Sequence, residues 1–322
     1  GRGSLQHGYT QRTFGPGMSP GDMPGTLVLP VAQPLPRVEG LSFAIWSAES
    51  TAMMVMLAER DDGPRYNCLV WCEAGGWHEI ELGLDDFVLD QDGPDDPDGK
   101  LDPELVDGVG FVDASSFLRF IAEQTPLIRS EPETDQILRL DDVKLLETSP
   151  VRSGPDEGIV LIAAYEQPAG FVIIGGEDAL VESDDAGDGT RALTVTYDLS
   201  PGTLAGVVHQ VRPGALAGVS ELRLRVRCTA ETTLIVTVEE ERGEGGMIKA
   251  EYMSMMQVAA YEPWREVVIS VEDLTPTDDC NDPNGQLDIE LVGTIVVADA
   301  TALATNEAVT NNLSLDEFVG IE

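Results

Sequence analysis

The feature that most constrains the fold of this chain is an internal repeat. Residues 41–59 align with residues 222–240 without a gap, at an offset of 181 positions (222 minus 41). Further pairs of similar blocks follow in the same order, beginning at Trp77 and Trp264, Asp96 and Asp282, Val109 and Ile295, and Leu140 and Leu315. Several similar blocks in one order predict that the chain contains two copies of one module.

The repeated segments have the pattern of short β-strands. Leu222, Leu224 and Val226 alternate with arginines, which gives the strand one apolar and one charged face. Clusters of Gly, Pro and Asp separate the apolar runs, and only residues 115–123 favour a helix. Many short strands separated by turns predict an all-β chain that folds into two tandem antiparallel β-sandwiches.

The repeat also predicts the domain boundaries. Residues 1–147 form the first module, residues 148–158 form a linker containing Pro, Gly and Ser, and residues 159–322 form the second module. A weaker match pairs residues 1–9 with residues 189–197. In that alignment residues 159–188 have no counterpart in the first module, which is therefore predicted to lack its opening strand.

The charge of the chain narrows the range of partners. It has 58 acidic residues and 19 Lys and Arg, for a formal net charge of −39. Such a surface repels the phosphates of nucleic acids and anionic lipid headgroups. No apolar run approaches the roughly 20 residues of a membrane-spanning helix, so membrane insertion is not expected. Neutral glycans and divalent cations remain compatible partners; alternatively, the charge only keeps the protein soluble.

A succession of motifs resembles a known family of domains. The residues that carry it are 77–87, 99–102 and 140–142 in the first module, and 264–274, 285–288 and 315–317 in the second. They resemble galactose-binding-like jelly rolls, including the carbohydrate-binding modules attached to glycoside hydrolases. The resemblance implies a two-sheet sandwich, often with a structural calcium ion, and sometimes a sugar site on a concave sheet face or at a loop edge.

One acidic loop in each module is a candidate calcium site. The candidate ligands are Asp92, Asp96, Asp98 and Asp102 in the first loop, and Asp278, Asp282, Asn284 and Asp288 in the second. Ca²⁺ takes six to eight oxygen ligands, which closely spaced Asp and Asn residues supply. Neither loop completes the helix–loop–helix calcium pattern with its glutamate at the twelfth position. We predict structural Ca²⁺ in these loops; the alternative is a solvated acidic turn.

Aromatic residues are candidates for stacking against sugars. The candidate ligand-binding residues are Tyr66, Trp71, Tyr252 and Tyr261. Trp77 and Trp264 occupy the same place in both repeats and are expected to pack in the core or at a sheet edge, whereas Trp46 is expected in the core.

Catalysis has little support in the sequence. The three histidines, His7, His78 and His209, do not have the spacing of metal ligands. No nucleophile elbow or phosphate-binding loop is present. We therefore predict a non-catalytic, extracellular or cell-surface protein that binds a neutral glycan. Among the four cysteines, a disulfide bridge between Cys228 and Cys280 is one possibility that the sequence neither requires nor excludes.

The predicted lack of an opening strand suggests an alternative function. A sandwich without that strand exposes unpaired backbone groups along an edge, and a strand from another chain can pair there. Repeated between copies of this chain, the contact would build a filament or matrix. Otherwise, residues that precede Gly1 supply the strand.

Overall fold

The computed structural model describes residues 4–11, 25–31, 38–61, 63–90, 93–94, 96, 99–124, 134–150, 157–175, 178–183, 191–242, 248–260 and 264–322. These residues divide into two compact units. The first domain contains the described residues up to 150 together with Pro168–Gly170, and the second contains residues 157–167 and those from 171 onward. This differs from the boundaries predicted from the sequence, in which residues 168–170 belong to the second module.

The first domain is formed by two antiparallel sheets. Its described strands are β1 (Leu5–Thr10), β2 (Leu27–Pro30), β3 (Gly40–Ser47), β4 (Thr51–Glu59), β5 (Arg65–Cys72), β6 (Trp77–Gly83), β7 (Val88–Leu89), β8 (Val106–Asp113) and β9 (Asp135–Leu146). One sheet has the order β1-β9-β3-β6 and the other β2-β8-β4-β5-β7. Helix α1 (Ser115–Gln124) follows β8, which confirms the predicted helix.

The core of the first domain lies between these sheets because side chains alternate along each strand. In β3, Phe43 and Ile45 are buried while their neighbours point outward. The Phe43 ring meets the Phe111 ring of the opposite sheet edge to face, with centroids 5.0 Å apart, a favoured geometry for aromatic pairs.

Among the described residues, the second domain has more strands than the first. They are β10 (Ile159–Ala163), β11 (Phe171–Ile174), β12 (Asp178–Ser183), β13 (Arg191–Leu199), β14 (Ala205–Gln210), β15 (Glu221–Cys228), β16 (Thr232–Arg242), β17 (Ile248–Val258), β18 (Arg265–Ser270), β19 (Thr275–Pro276), β20 (Val292–Asp299) and β21 (Val309–Ile321). Helix α2 (Thr301–Thr305) follows β20. The sheets have the orders β12-β13-β21-β15-β18, with β10 also paired to β21, and β11-β14-β20-β16-β17-β19.

The two domains share one strand order. Sheet β1-β9-β3-β6 corresponds to β13-β21-β15-β18, and β2-β8-β4-β5 corresponds to β14-β20-β16-β17. In both domains the first of these eight strands lies beside the last, and the second beside the second to last. This order is that of a jelly roll, so the prediction of two tandem antiparallel jelly rolls is confirmed.

The domains differ at one edge of the sandwich. We expected one opening strand from residues 159–188; the described part of this range contains three strands, β10, β11 and β12. Strand β12 pairs with the outer side of β13, and β11 with the outer side of β14. The corresponding strands of the first domain, β1 and β2, are edge strands in the part of the chain that the structure describes.

The four cysteines are free thiols, so the structure contains no bridge between Cys228 and Cys280. Among the described residues, no helix is both long enough and apolar enough to cross a membrane.

Candidate glycan and calcium sites

A tyrosine holds the start of each acidic loop. The hydroxyl of Tyr66, in β5, donates a hydrogen bond to the carboxylate of Asp96, and that of Tyr252, in β17, donates to Asp282. Both rings are buried in the cores of their domains. Burial and the hydrogen bond to Asp282 raise the pKa of Tyr252, so its hydroxyl remains a donor at neutral pH.

A buried glutamate holds the other end of each loop. The backbone N–H of Asp102 donates to Glu59 Oε1 at 2.8 Å, and that of Asp288 donates to Glu240 Oε1 at 2.5 Å. The glutamates end equivalent repeat blocks, in β4 and β16. The sequence analysis missed them as loop contacts, because each contact joins residues more than 40 positions apart. Their recurrence at the end of the gap-free block was the one available signal.

Three of the predicted calcium ligands in the second loop lie together. The Asn284 backbone N–H donates to Asp282 Oδ1 at 3.1 Å, and the Asn284 side-chain amide donates to Asp288 Oδ2 at 2.9 Å. The fourth candidate, Asp278, is exposed. The side chains of this turn are thus held by hydrogen bonds to one another, and their oxygens do not point toward a common metal position.

In the first loop, Asp96 and Asp102 are described, whereas Asp92 and Asp98 lie outside the described residues. Within the described part of the chain, no group of three or more His, Cys, Asp or Glu residues is placed to hold a metal ion. The oxygen-rich side chains suit Ca²⁺ chemically, but the described ones do not converge on one point. Calcium therefore stays a prediction.

The aromatic candidates differ in how accessible their rings are. Tyr66 and Tyr252 are buried, so their rings are covered by the core and only their hydroxyls reach the loops. Trp71 is half-buried in β5, with its indole N–H 3.3 Å from Glu73 Oε2. Tyr261 lies outside the described residues. Among the described candidates, Trp71 thus presents the most accessible ring.

Two tryptophans form an aromatic face on the outer side of sheet β1-β9-β3-β6. Trp46 of β3 and Trp77 of β6 are cross-strand partners, and the Trp77 side chain is 48% exposed. The Arg139 guanidinium of β9 lies 4.3 Å from the centroid of the Trp46 ring. The expectation that Trp46 belongs to the core is wrong, because Ile45 takes the inward position in the alternation and Trp46 points outward.

Arginines cover the corresponding tryptophan of the second domain. The guanidinium groups of Arg227 and Arg225 lie 4.7 and 5.5 Å from the ring centroid of Trp264, which is half-buried. Arg225 also pairs with the buried Asp316 at 2.7 Å. The open aromatic face is therefore a property of the first domain.

Two fully buried aspartates connect strands and helices through hydrogen bonds. The Asp299 carboxylate accepts hydrogen bonds from Tyr197 Oη at 2.8 Å, Asn311 Nδ2 at 2.9 Å and the Thr301 backbone N–H at 2.8 Å. It thereby joins β13 and β21 to the start of α2.

The first domain repeats this arrangement around Asp113. That carboxylate accepts from Tyr9, Gln11 and Thr51 and from the backbone N–H of Ser115 at the start of α1. Both aspartates are fully buried, and these hydrogen bonds hold each carboxyl group in place between the strands and the start of the helix.

Comparison with solved structures finds similarity to carbohydrate-binding modules. No protein-family model and no curated protein matches the sequence. Among solved structures, the chain is similar to the family 11 carbohydrate-binding module from Clostridium thermocellum in complex with a β-1,3-1,4-mixed-linked tetrasaccharide, with 14% identity and a TM-score of 0.41 over 51% of this chain and 95% of that one.

It is also similar to a family 30 carbohydrate-binding module (13% identity, TM-score 0.37, 52% of this chain and 89% of that one). A xylan-binding domain of family 22 gives 15% identity and a TM-score of 0.33 over 52% of this chain and 96% of that one. Each comparison spans about half of this chain, which is the length of one of its domains.

Proposed function

We propose that this protein is a non-catalytic glycan-binding protein and that its first domain carries the glycan site. The observation that carries the proposal is the exposed indole of Trp77 beside Trp46 on the outer face of the sheet. A large apolar ring that is open to solvent offers a flat surface to the C–H faces of a sugar ring. Arg139, which lies over Trp46, adds hydrogen-bond donors for hydroxyl groups at the same face.

The charge of the protein supports a neutral ligand. With a formal net charge of −39, the chain repels anionic polysaccharides through the same long-range field that repels nucleic acids. A neutral glycan is not repelled. The β-1,3-1,4-mixed-linked tetrasaccharide in complex with the family 11 module is a suitable first probe, and xylan is the second.

Isothermal titration with the mixed-linked tetrasaccharide tests the proposal. We expect saturable binding that weakens at least about tenfold in Trp77→Ala, because the stacking surface is removed. Phe117→Ala is the matched control, since Phe117 is an aromatic residue of α1 with a similar exposure of 44%; it should bind within about twofold of the native chain. Equal affinities for Trp77→Ala and the native chain would place the site elsewhere.

Absence of catalysis is tested in the same mixtures. Prolonged incubation with the tetrasaccharide should release no new reducing ends. A steady release that persists in a highly purified sample would contradict the non-catalytic part of the proposal.

Structural calcium in an extracellular setting is a further part of the proposal. Several carboxylates repel one another within each acidic loop, and a bound cation would relieve this repulsion. Thermal unfolding should therefore shift upward in millimolar CaCl₂ relative to EDTA, by an amount equivalent to about 2.7 kcal/mol at a hundredfold excess over Kd. The double variant Asp282→Asn, Asp288→Asn should lose the shift of the second domain, whereas Glu272→Gln on the exposed surface should keep it. Identical curves in calcium and EDTA would refute this part.

The second candidate function is that of a structural subunit of a surface assembly, joined by strand addition between chains. It is favoured by the position of β1 and β2, which are edge strands among the described residues of the first domain, whereas the second domain has further strands at the corresponding edges. Sedimentation velocity in calcium and in EDTA tests it. Large species would support assembly, and a monomer at all concentrations would exclude self-assembly.

A further inference from the structure

In the second domain, an arginine lies on the outer face of sheet β13-β21-β15-β18. In the strand register, Arg225 stands between Glu266 of β18 and Asp316 of β21. Its guanidinium is 2.7 Å from Asp316 Oδ2 and 5.5 Å from the ring centroid of Trp264. Two acidic residues and an aromatic ring therefore flank one cationic side chain, and both kinds of neighbour attract a cation.

The first domain has the same neighbours but an alanine in place of the arginine. Ala44 of β3 stands between Glu79 of β6 and Asp141 of β9 in the register, and Trp77 lies two positions before Glu79 on β6. Ala44 is the residue that aligns with Arg225 in the gap-free repeat, at the offset of 181 positions (225 minus 44). A methyl group thus takes the place of the cation.

The local backbone is also alike in the two domains. Strand β9 has a register irregularity next to Asp141, and β21 has one next to Asp316. The residues that follow them, Asp142 and Glu317, both have a positive φ, 56° and 39°. Because a bulge re-aims the side chains beside it, a bulge at the same place gives both aspartates the same direction.

Within the part of the chain that the structure describes, no cationic side chain pairs with the two carboxylates of the first domain. Glu79 is exposed and Asp141 is half-buried, and neither forms an ion pair with a described lysine or arginine. Lys144 pairs with Asp142 instead, at 2.8 Å, and Arg139 stacks on an indole ring. The acidic residues that hold a guanidinium in the second domain are thus available to a cation from outside.

We propose that this position of the first domain, bounded by Ala44, Trp77, Glu79 and Asp141 and named here the cation subsite, binds the ammonium group of an amino sugar within a glycan. The inference rests on the proposed function and refines its ligand, from a wholly neutral glycan to one that contains glucosamine. Facing residues of neighbouring strands have Cβ atoms about 5 Å apart. The small Ala44 side chain therefore leaves space between the carboxylates, which Arg225 fills in the second domain.

The surroundings of the subsite favour a sugar over a basic side chain of another protein. Trp77 is 48% exposed and offers a flat apolar surface to a sugar ring. It lies two positions from Glu79, or about 7 Å along the strand, so a glycan that stacks on the indole brings an amino group within reach of the carboxylates. Arg139 adds donors for hydroxyl groups, which a basic peptide made of lysine and arginine does not have.

Isothermal titration with two matched tetrasaccharides tests the class of ligand. The probes are the β-1,4-linked tetramers of glucosamine and of glucose, which differ in having an amino or a hydroxyl group on each ring. Titration in about 0.15 M salt largely screens exposed charges more than about 8 Å away. At slightly acidic pH, where the amines are protonated, the glucosamine tetramer should bind at least about tenfold more tightly. Equal affinities for the two tetramers overturn the cation subsite.

Two double variants locate the binding. Glu79→Gln with Asp141→Asn removes both carboxylates and should bring the affinity for the glucosamine tetramer to within about threefold of that for the glucose tetramer. Glu104→Gln with Asp107→Asn removes the same charges from exposed positions just before and within β8, in the other sheet, and should change the affinity less than about twofold. Equal losses in both double variants would show attraction by the net charge alone and contradict the proposal.

A further variant transfers the cation of the second domain to the first. Ala44→Arg places a guanidinium between the two carboxylates and should abolish the preference for glucosamine, while the affinity for the glucose tetramer stays within about threefold. Circular dichroism should show a folded protein, since Ala44 faces outward on β3 and is half-buried. A preference for glucosamine that persists in folded Ala44→Arg is incompatible with the subsite.

The outcomes separate this inference from the proposed function. Binding of a neutral tetrasaccharide that depends on Trp77, with no gain for glucosamine, overturns the cation subsite and leaves the proposed function in place. Absence of binding by the glucosamine tetramer, the glucose tetramer and the mixed-linked tetrasaccharide overturns the glycan site itself. A tetra-arginine peptide that binds more tightly than the glucosamine tetramer would assign the subsite to a basic polypeptide and overturn the proposal.

Discussion

Tyr252 and Asp282 are joined by a hydrogen bond across 30 residues of sequence, and Tyr66 and Asp96 are joined in the same way across the same distance. In each domain, a tyrosine whose ring is buried in the core thus donates a hydrogen bond to an aspartate at the start of an acidic loop. The duplication preserved both the contact and its spacing, although the loops themselves differ in sequence.

Removal of one hydroxyl tests how strongly the loop is held. Tyr252→Phe should lower the free energy of unfolding by about 1 kcal/mol, because it deletes a hydrogen bond to a charged acceptor without opening a cavity. Hydrogen exchange should become faster across residues 282–288. Tyr66→Phe should have the same effect on the first domain and leave residues 282–288 unchanged, which makes the two variants controls for each other. Unchanged exchange in Tyr252→Phe would show that Glu240 alone holds the loop.

Loss of the buried carboxylate of Asp299 should be more severe. Asp299→Ala leaves the buried groups of Tyr197 and Asn311 without their acceptor, and we expect a loss of about 3 kcal/mol in the second domain by urea denaturation. Asp273→Ala, on the exposed surface, should stay within about 0.5 kcal/mol of the native chain. A loss below 1 kcal/mol for Asp299→Ala would show that the network reorganises around the alanine.

His209 should make the second domain sensitive to acid. It is fully buried, its Nε2 lies 2.7 Å from Tyr165 Oη and its Nδ1 lies 3.3 Å from Ile295 O. Burial lowers the pKa of His209 from 6.5 to about 4, against the smaller opposing effect of the hydrogen bond to Ile295. The unfolded chain therefore binds the proton more tightly than the folded chain.

This contribution to stability is present above pH 6.5 and is lost as the pH falls toward 4. The loss can reach about 3 kcal/mol. The test is to measure the free energy of unfolding between pH 7 and pH 4 for the native chain and for His209→Gln. The many carboxylates titrate in both proteins, so the difference between the two curves reports the contribution of His209. Parallel curves for the two proteins would contradict the prediction.

The sequence by itself determined the duplication and the all-β class, and the jelly-roll architecture was implied by its resemblance to galactose-binding-like domains. It did so because alternating apolar residues in strands such as β15 specify a two-sided sheet, and because a gap-free repeat requires two similar folds. The helix over 115–123 was also predictable, since its pattern departs from the alternation of its surroundings.

Only the tertiary structure decided which side chains are accessible and which distant residues meet. Period-two alternation shows that Ile45 and Trp46 point to opposite faces, but long-range pairing decides which face is covered. The contacts of Glu59 with Asp102 and of Tyr66 with Asp96 join residues far apart in sequence, so no local pattern indicates them. Leu5 and its counterpart Leu193 likewise differ in exposure, 45% against 0%, because burial depends on neighbouring strands and not on the residue itself.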